Sequence, residues 1–157
     1  GGGGGVVVGG VLVVVLVVGA LVAVNPFGDV RDPDTGQIIA GARSPDGAGF
    51  ASTTSLMLGG AGRRAFGENT TIGVVAVGGA LSKEGANKVA RMAHDGLART
   101  IPPIHTMFDG DALFCLATGG QEVDISAAGT AAALAVERAV LSAVRQAEAM
   151  GGLPAGR

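Results

Sequence analysis

The sequence predicts an α/β domain in which strands and helices alternate along the chain. Short apolar runs at 19–24, 71–77 and 112–117 have the length and composition of strands, whereas apolar positions recur at helical spacing within 83–101 and 126–150. This alternating order is typical of layered α/β folds. At 157 residues, with 48% hydrophobic and 15% charged residues, the chain suits one domain with a sizeable core.

The N-terminus is unusual in composition. Residues 1–18 form a low-complexity segment of Gly and Val, and we place the single α/β domain over 19–157. The uncharged run at 6–24 is about long enough to span a bilayer, and it resembles the apolar part of a signal peptide, although no basic segment precedes it. Because Val favours strands, and continuous Val runs are typical of strands covered on both faces, we predict a buried strand. A membrane segment or an unstructured tract is the alternative.

The next part of the chain reads as turns and loops. A break follows the first strand at 25–29, and the Pro, Asp and Gly residues of 32–36 are a strong turn signal. Residues 37–40 are compatible with a short returning strand. Residues 41–69 are rich in Gly, Ser, Thr and Ala, and we expect them to form a long, mobile loop.

The second half contains the clearest elements. The β-branched run at 71–77 predicts a strand, and Ser82 is a suitable N-cap for a helix over 83–101, which Pro102 and Pro103 would end. A strand follows at 112–117, and then a helix at 126–150, which a Gly pair would end. The predicted buried faces of the two helices comprise Ala86, Val89, Ala90, Ala93, Leu97 and Ile101, and Val136, Val140, Ala143, Val144 and Ala147.

Composition excludes several function classes. The net charge is −2 and no basic stripe is present, which argues against a nucleic-acid partner. The single cysteine, Cys115, lies in an apolar run, rules out an intramolecular disulfide and is interpreted as a small buried hydrophobe. We expect a cytoplasmic protein, with a periplasmic or membrane-anchored one as the alternative. His94 and His105 are interpreted as capping or packing residues, and since neither has further ligands nearby we predict no metal and no cofactor.

A threonine and two carboxylates stand before strands. Thr70 precedes the strand at 71–77, and Asp109 and Asp111 precede the strand at 112–117. A threonine hydroxyl is a weak nucleophile without an adjacent base. Cleavage of the Asn69–Thr70 bond would supply one, because the freed α-amine, with a pKa of about 7.7–8.0, belongs to the same residue. On composition alone, however, these residues also fit an ordinary strand start and a polar turn.

The other polar residues could support that chemistry. Asp109 and Asp111 lie two apart, so on an extended segment they face the same side, where one could hold the amine and the other its neighbour. Asn25 ends the first predicted strand and carries an amide donor. A carboxamide aimed at a developing oxyanion can contribute about 2.7–4 kcal/mol.

Four motifs occur in a fixed order. They are Asn-Thr-Thr-Ile at 69–72, Leu-Ser-Lys at 81–83, Met-Ala-His-Asp-Gly-Leu-Ala-Arg at 92–99 and His-Thr-Met-Phe-Asp-Gly-Asp at 105–111. Each alone is weakly specific. As an ordered set they resemble the self-processing peptidases of the DmpA type, whose relatives include β-aminopeptidases and nylon-oligomer hydrolases. The resemblance covers about 19–149.

The resemblance implies an N-terminal-nucleophile amide hydrolase that cleaves itself between Asn69 and Thr70. It would act as an aminopeptidase or on linear amide oligomers. Thr70 matches the nucleophile, Asn25 the oxyanion asparagine, and Asp109 and Asp111 the pair near the new amine. The family also implies a four-layer αββα sandwich, two chains after processing and a homo-oligomer.

The N-terminal part departs from the family. Family members carry a long segment before the strand that matches 19–24, and that segment supplies further catalytic and pocket residues, including a lysine or tyrosine. We therefore expect an incomplete sandwich, and the activity of this chain alone stays open. The alternatives are a non-catalytic or partner-dependent α/β module and a fragment anchored in a membrane by 6–24.

Overall fold

A computed structural model of the chain describes residues 16–60 and 69–149. The elements in chain order are β1 (Val18–Ala23), β2 (Val30–Arg31), β3 (Ile38–Ala40), α1 (Thr53–Leu58), β4 (Ile72–Val77), α2 (Lys83–Thr100), β5 (Ala112–Ala117) and α3 (Ile125–Arg145). One sheet has the order β1-β4-β5, with β1 antiparallel and β5 parallel to the central strand β4. The predicted α/β class is confirmed.

The core lies between this sheet and the two long helices. α3 packs on β1, α2 packs on β5, and the helices pack on each other. Complete burial of side chains such as Leu97 and Val89 stabilises the fold by about 1.5–3 kcal/mol each. The helices approach closely at Gly96, where a Cβ would stand 2.3 Å from the Ala133 carbonyl oxygen. Glycine at this position therefore sets the helix–helix distance.

The opposite face of the sheet is exposed and apolar. Side chains alternate along each strand, so every second residue faces away from the helices. The largest exposed side chains of the three strands are Leu21 (74% exposed), Phe114 (66%), Leu116 (57%) and Ile72 (50%). The strands are thus apolar on both faces, as the sequence indicates, but within the described residues helices cover only one face.

The long predicted elements are confirmed, with small shifts at their ends. Ser82 caps α2 as predicted, and its hydroxyl accepts a hydrogen bond from the Gly85 amide. α3 begins one residue earlier than predicted because Asp124 is its N-cap, and it ends at Arg145 instead of residue 150. The Gly pair predicted to end it, and residues 6–15 of the apolar run, lie outside the described residues. α3 has the length and composition of a membrane span, but it carries a buried stripe against α2 and the sheet.

The turn before β3 is also confirmed. Asp32 Oδ1 accepts hydrogen bonds from the amides of Asp34 and Thr35, and Gly36 takes a positive φ of 72°. β3 pairs with β2, a two-residue strand that was too short for sequence periodicity to predict.

The prediction of a loop over 41–69 is wrong in one part, because residues 53–58 form the helix α1. Its N-cap is Ser52, whose hydroxyl accepts from the Ser55 amide. The buried carboxylate of Asp29 accepts hydrogen bonds from the Thr53 amide at 2.8 Å and from the Thr53 hydroxyl at 2.6 Å. A tertiary contact with a residue before β2 therefore stabilises this short helix, and such contacts are invisible in local composition.

Candidate active site

The termini of three strands lie side by side at one end of the sheet. Because β1 runs antiparallel to β4 while β5 runs parallel to it, the end of β1 lies beside the starts of β4 and β5. These positions carry Asn25, Thr70 and the segment 109–111. The fold therefore brings together all the strand-end residues that the sequence singles out.

The Asn69–Thr70 peptide is held on both sides. The Thr70 amide donates to the Asn25 backbone carbonyl at 2.9 Å, and the Gly110 amide donates to the Asn69 carbonyl oxygen at 3.0 Å. The Asn69 amide donates to the Phe108 carbonyl, which completes a parallel bridge between Asn69 and Asp109. The N–H and the C=O of one peptide are thus held on opposite sides, by the segment after β1 and by the segment before β5.

The two threonines face opposite sides of the sheet. Thr70 is exposed, like Ile72 two residues later, whereas Thr71 is fully buried. Gly110 faces Thr70, since a Cβ at position 110 would stand 3.0 Å from Thr70 Oγ1. A side chain at position 110 would therefore crowd the Thr70 hydroxyl, and glycine leaves room for it.

Asp111 is hydrogen-bonded to the backbone of Thr71, the residue after the candidate nucleophile. The side chain of Asp111 is 1% exposed, and its Oδ1 accepts a hydrogen bond from the Thr71 amide at 2.8 Å. Its Oδ2 lies 3.5 Å from His105 Nδ1 and has no hydrogen bond within the described residues. Asp111 thus connects the start of β4 with the segment that follows α2.

Asp109 joins two loops. Its Oδ1 accepts from the Phe27 amide at 3.3 Å, and its Oδ2 accepts from the Thr106 amide at 3.1 Å and from the Thr106 hydroxyl at 2.6 Å. The rings of Phe27 and Phe108 stack at 5.3 Å. Strand alternation places both Asp109 and Asp111 on the side away from the Thr70 hydroxyl. Neither carboxylate makes a hydrogen bond to Thr70 in the structure.

The segment that follows Asn25 packs closely against the backbone of Pro102 and Pro103. A Cβ at Gly28 would stand 2.2 Å from the Pro103 carbonyl oxygen, and the Asp29 amide donates to the Pro102 carbonyl at 3.1 Å. The Asn25 side chain itself is exposed, and its carboxamide makes no hydrogen bond within the described residues. The backbone of Asn25 is therefore held next to Thr70, and its side chain is exposed.

The titratable groups differ in their surroundings. Burial is the main cause that lowers the pKa of His94, the charge of His105 lowers it further, and Asp111 and Asp95 act in the opposite direction. Burial raises the pKa of Cys115, which is half-buried against the core, close to its sequence interpretation. Within 16–60 and 69–149, no group of three His, Cys, Asp or Glu side chains is arranged to hold a metal ion.

Sequence reasoning missed two residues of this site. Gly110 was part of a polar turn pattern, and only the parallel pairing of β4 with β5 reveals that its amide contacts the Asn69 carbonyl. His105 was interpreted as a capping or packing residue. The position of His105, after two prolines and before the Asp-containing segment, indicates that it lies near the site. Sequence position alone does not show which atom of the site His105 contacts.

The chain is similar to known proteins over most of its length. The sequence profile of peptidase family S58, the DmpA family, matches residues 4–156. The chain belongs to this family. It is 39% identical over 163 residues to an uncharacterized aminopeptidase of Mycobacterium tuberculosis strain H37Rv, covering 89% of this chain and 47% of that protein. It is 40% identical over 162 residues to an uncharacterized aminopeptidase of Mycobacterium leprae, covering 87% of this chain and 42% of that protein.

Membership of family S58 bears on the competing hypotheses. The family and the aminopeptidase names of its relatives support a peptidase or hydrolase function, and they do not favour a non-catalytic module. The chain spans about half the length of the curated relatives it matches. The activity of the whole protein therefore has to be argued from the site.

Proposed function

We propose that this chain carries the self-cleavage site and part of the active site of an N-terminal-nucleophile amide hydrolase, with Thr70 as nucleophile. The observation that carries the proposal is the environment of the Asn69–Thr70 peptide. Its carbonyl accepts a hydrogen bond from the Gly110 amide, its N–H is bonded to Asn25, and the exposed Thr70 hydroxyl has room beside Gly110.

The self-cleavage reaction uses these atoms in order. Thr70 Oγ1 attacks the Asn69 carbonyl carbon while the Gly110 N–H stabilises the charge that develops on the carbonyl oxygen. The C–N bond then breaks as the hydroxyl proton passes to the nitrogen, and an ester joins Asn69 to Oγ1. Water hydrolyses this ester, which leaves a carboxylate on Asn69 and restores the Thr70 hydroxyl beside a free α-amine.

The freed amine is the base for later turnovers. Its pKa of about 7.7–8.0 in the absence of perturbation leaves a substantial neutral fraction near pH 7, so it can accept the hydroxyl proton directly or through one water. The Asn25 carbonyl already accepts from this nitrogen and would keep its position after cleavage. Asp111 supports it indirectly, because it fixes the Thr71 amide one residue away.

Asn25 is the proposed oxyanion donor for substrates. Its carboxamide is exposed, makes no hydrogen bond in the described part of the chain and lies on a rigid segment beside Thr70. Asp109 helps to fix that segment through the Phe27 amide. The aminopeptidase names of the relatives favour small peptides with a free N-terminal amine, and linear amide oligomers are the second candidate class of substrate.

The exposed face of the sheet is the proposed contact with the rest of a longer protein. An apolar surface that includes Leu21, Phe114 and Leu116 is costly to leave in water. We propose that a second sheet with its own helices covers it and completes an αββα sandwich, and that the complete enzyme is a cytoplasmic homo-oligomer.

The test is a time course of intact mass on the full-length protein. We expect two fragments, the smaller beginning Thr-Thr-Ile-Gly, and no cut in Thr70→Ala. Thr70→Ser keeps a hydroxyl and should still be cut, and Thr71→Ala should be cut because the Thr71 side chain faces the opposite side of the sheet. The proposal fails if Thr70→Ala is cut at the same bond, or if an uncut chain hydrolyses amides.

A further inference from the structure

His105 lies at the far end of a chain of contacts that leads to the self-cleavage site. Its Nδ1 is 3.5 Å from Asp111 Oδ2, and the other oxygen of that carboxylate accepts the Thr71 amide at 2.8 Å. Thr71 follows Thr70 directly. A substitution at His105 can therefore alter the backbone position of the candidate nucleophile through the carboxylate of Asp111.

We propose that His105 is a positioning residue for self-cleavage, which acts by holding Asp111 in the orientation that fixes the Thr71 amide. This inference rests on the proposed function of Thr70. His105 does not touch the reacting atoms, since its contact is with Asp111 on the side of the sheet away from the Thr70 hydroxyl.

The surroundings of Asp111 support this role. Its side chain is 1% exposed, so a carboxylate at this position needs partners to offset the loss of water. The Thr71 amide satisfies Oδ1, but Oδ2 has no hydrogen bond within the described residues, and His105 Nδ1 lies 3.5 Å from it. Without His105, Oδ2 would lose the polar neighbour that lies closest to it, and the carboxylate could rotate away from the Thr71 amide.

The backbone conformation and ring packing of His105 also support a positioning role. It has a positive φ of 57°, a region that non-glycine residues seldom occupy. Its ring is also held edge-on by the His94 ring on α2, at a centroid distance of 4.9 Å. A strained backbone and a packed ring together fix the imidazole beside Asp111, although its side chain is 44% exposed.

The experiment uses a matched pair of substitutions. Asn and Asp are nearly equal in size and both tolerate a positive φ. His105→Asn keeps an N–H donor, whereas His105→Asp places a second carboxylate toward Asp111. A purely structural role of the backbone conformation would affect both variants equally. We expect His105→Asn to cleave within about threefold of the unmodified protein and His105→Asp to cleave at least about tenfold more slowly.

A second measurement does not depend on cleavage. Hydrogen exchange of the Thr71 amide, followed by NMR in the full-length Thr70→Ala protein, reports the Asp111–Thr71 bond directly. We expect His105→Asp to speed this exchange at least about tenfold and His105→Asn to leave it within about threefold.

The outcomes separate this inference from the proposed function. If the unmodified protein is never cut, the self-cleavage proposal fails, while Thr71 exchange still decides whether His105 orients Asp111. If His105→Asp and His105→Asn cleave equally fast, or if Thr71 exchange is the same in both, the positioning role is overturned. Slower cleavage and faster exchange in His105→Asp alone would support it.

Discussion

The Gly110 amide offers a direct test of the self-cleavage geometry. It donates to the Asn69 carbonyl at 3.0 Å, a normal distance for an N–H···O bond. Replacement of Gly110 by glycolic acid turns this amide into an ester and removes the N–H without adding a single side-chain atom. The substitution therefore removes the donor and leaves the space beside the Thr70 hydroxyl unchanged.

The expected effect follows from the role of the donor. A preorganised N–H that stabilises a developing oxyanion contributes about 2.7–4 kcal/mol to the transition state, which corresponds to about a hundred- to a thousandfold in rate. The assay is the fraction of uncut full-length protein over time, measured by intact mass. If the bond were only structural, its loss would cost about 1 kcal/mol of stability and leave the rate nearly unchanged.

A second glycine provides the control. The Gly119 amide donates to the Gly79 carbonyl at 3.0 Å, at the opposite end of the β4–β5 pair. The same ester there removes a comparable bond away from Asn69 and should leave cleavage within about threefold. The reasoning would be refuted if the ester at Gly110 cleaved as fast as the ester at Gly119 while circular dichroism showed both to be folded.

Three further predictions concern stability and association. Asp29→Ala removes the carboxylate that accepts two hydrogen bonds from Thr53, and we expect urea unfolding to show a free energy of unfolding lower by about 3 kcal/mol. A free energy of unfolding within error of that of the unmodified chain would contradict the stabilising role of Asp29. Burial lowers the pKa of His94 in the folded chain below the ordinary histidine value of about 6.5, so the unfolded chain binds the proton more readily. Stability should therefore fall as the pH drops below about 6.5, and His94→Gln should remove part of that slope in urea titrations across pH. The exposed sheet face should drive self-association of this chain, and the double variant Leu21→Glu with Phe114→Glu should lower the mass measured by light scattering toward that of the monomer. An unmodified chain that is already monomeric at micromolar concentration would refute this prediction.

Periodicity was sufficient to predict the long elements. The β-branched run that forms β4 and the helical spacing that forms α2 depend on local sequence, and the N-cap Ser82 fixes the start of the helix within one residue. α1 was missed because its first turn depends on Asp29, more than twenty residues earlier in the chain. Local patterns carry no information about such a partner.

The site was predictable in outline but not in its contacts. The backbones of Asn25, Thr70 and the Asp pair are neighbours in the structure, and the catalytic roles assigned to these residues stay predictions. Which donor each carboxylate would hold depends on strand register and loop packing, and Asp109 accepts from Phe27 and Thr106 instead of from Thr70. Register also decides that a glycine faces Thr70, which the turn-like pattern around Gly110 could not indicate.

The central position of β4 explains how the backbone of Thr70 can be fixed on both sides while its side chain stays exposed. An edge strand would hold the Asn69–Thr70 peptide from one side, but here the segment after β1 fixes the N–H and the segment before β5 fixes the carbonyl. The backbone is therefore immobilised while the Thr70 hydroxyl stays on the exposed face, where Gly110 leaves it room. Asp111 and Asp109 accept hydrogen bonds from the Thr71 amide and the Phe27 amide on the opposite side. In the proposed mechanism they would therefore orient the backbone without occupying the space in which a substrate carbonyl approaches.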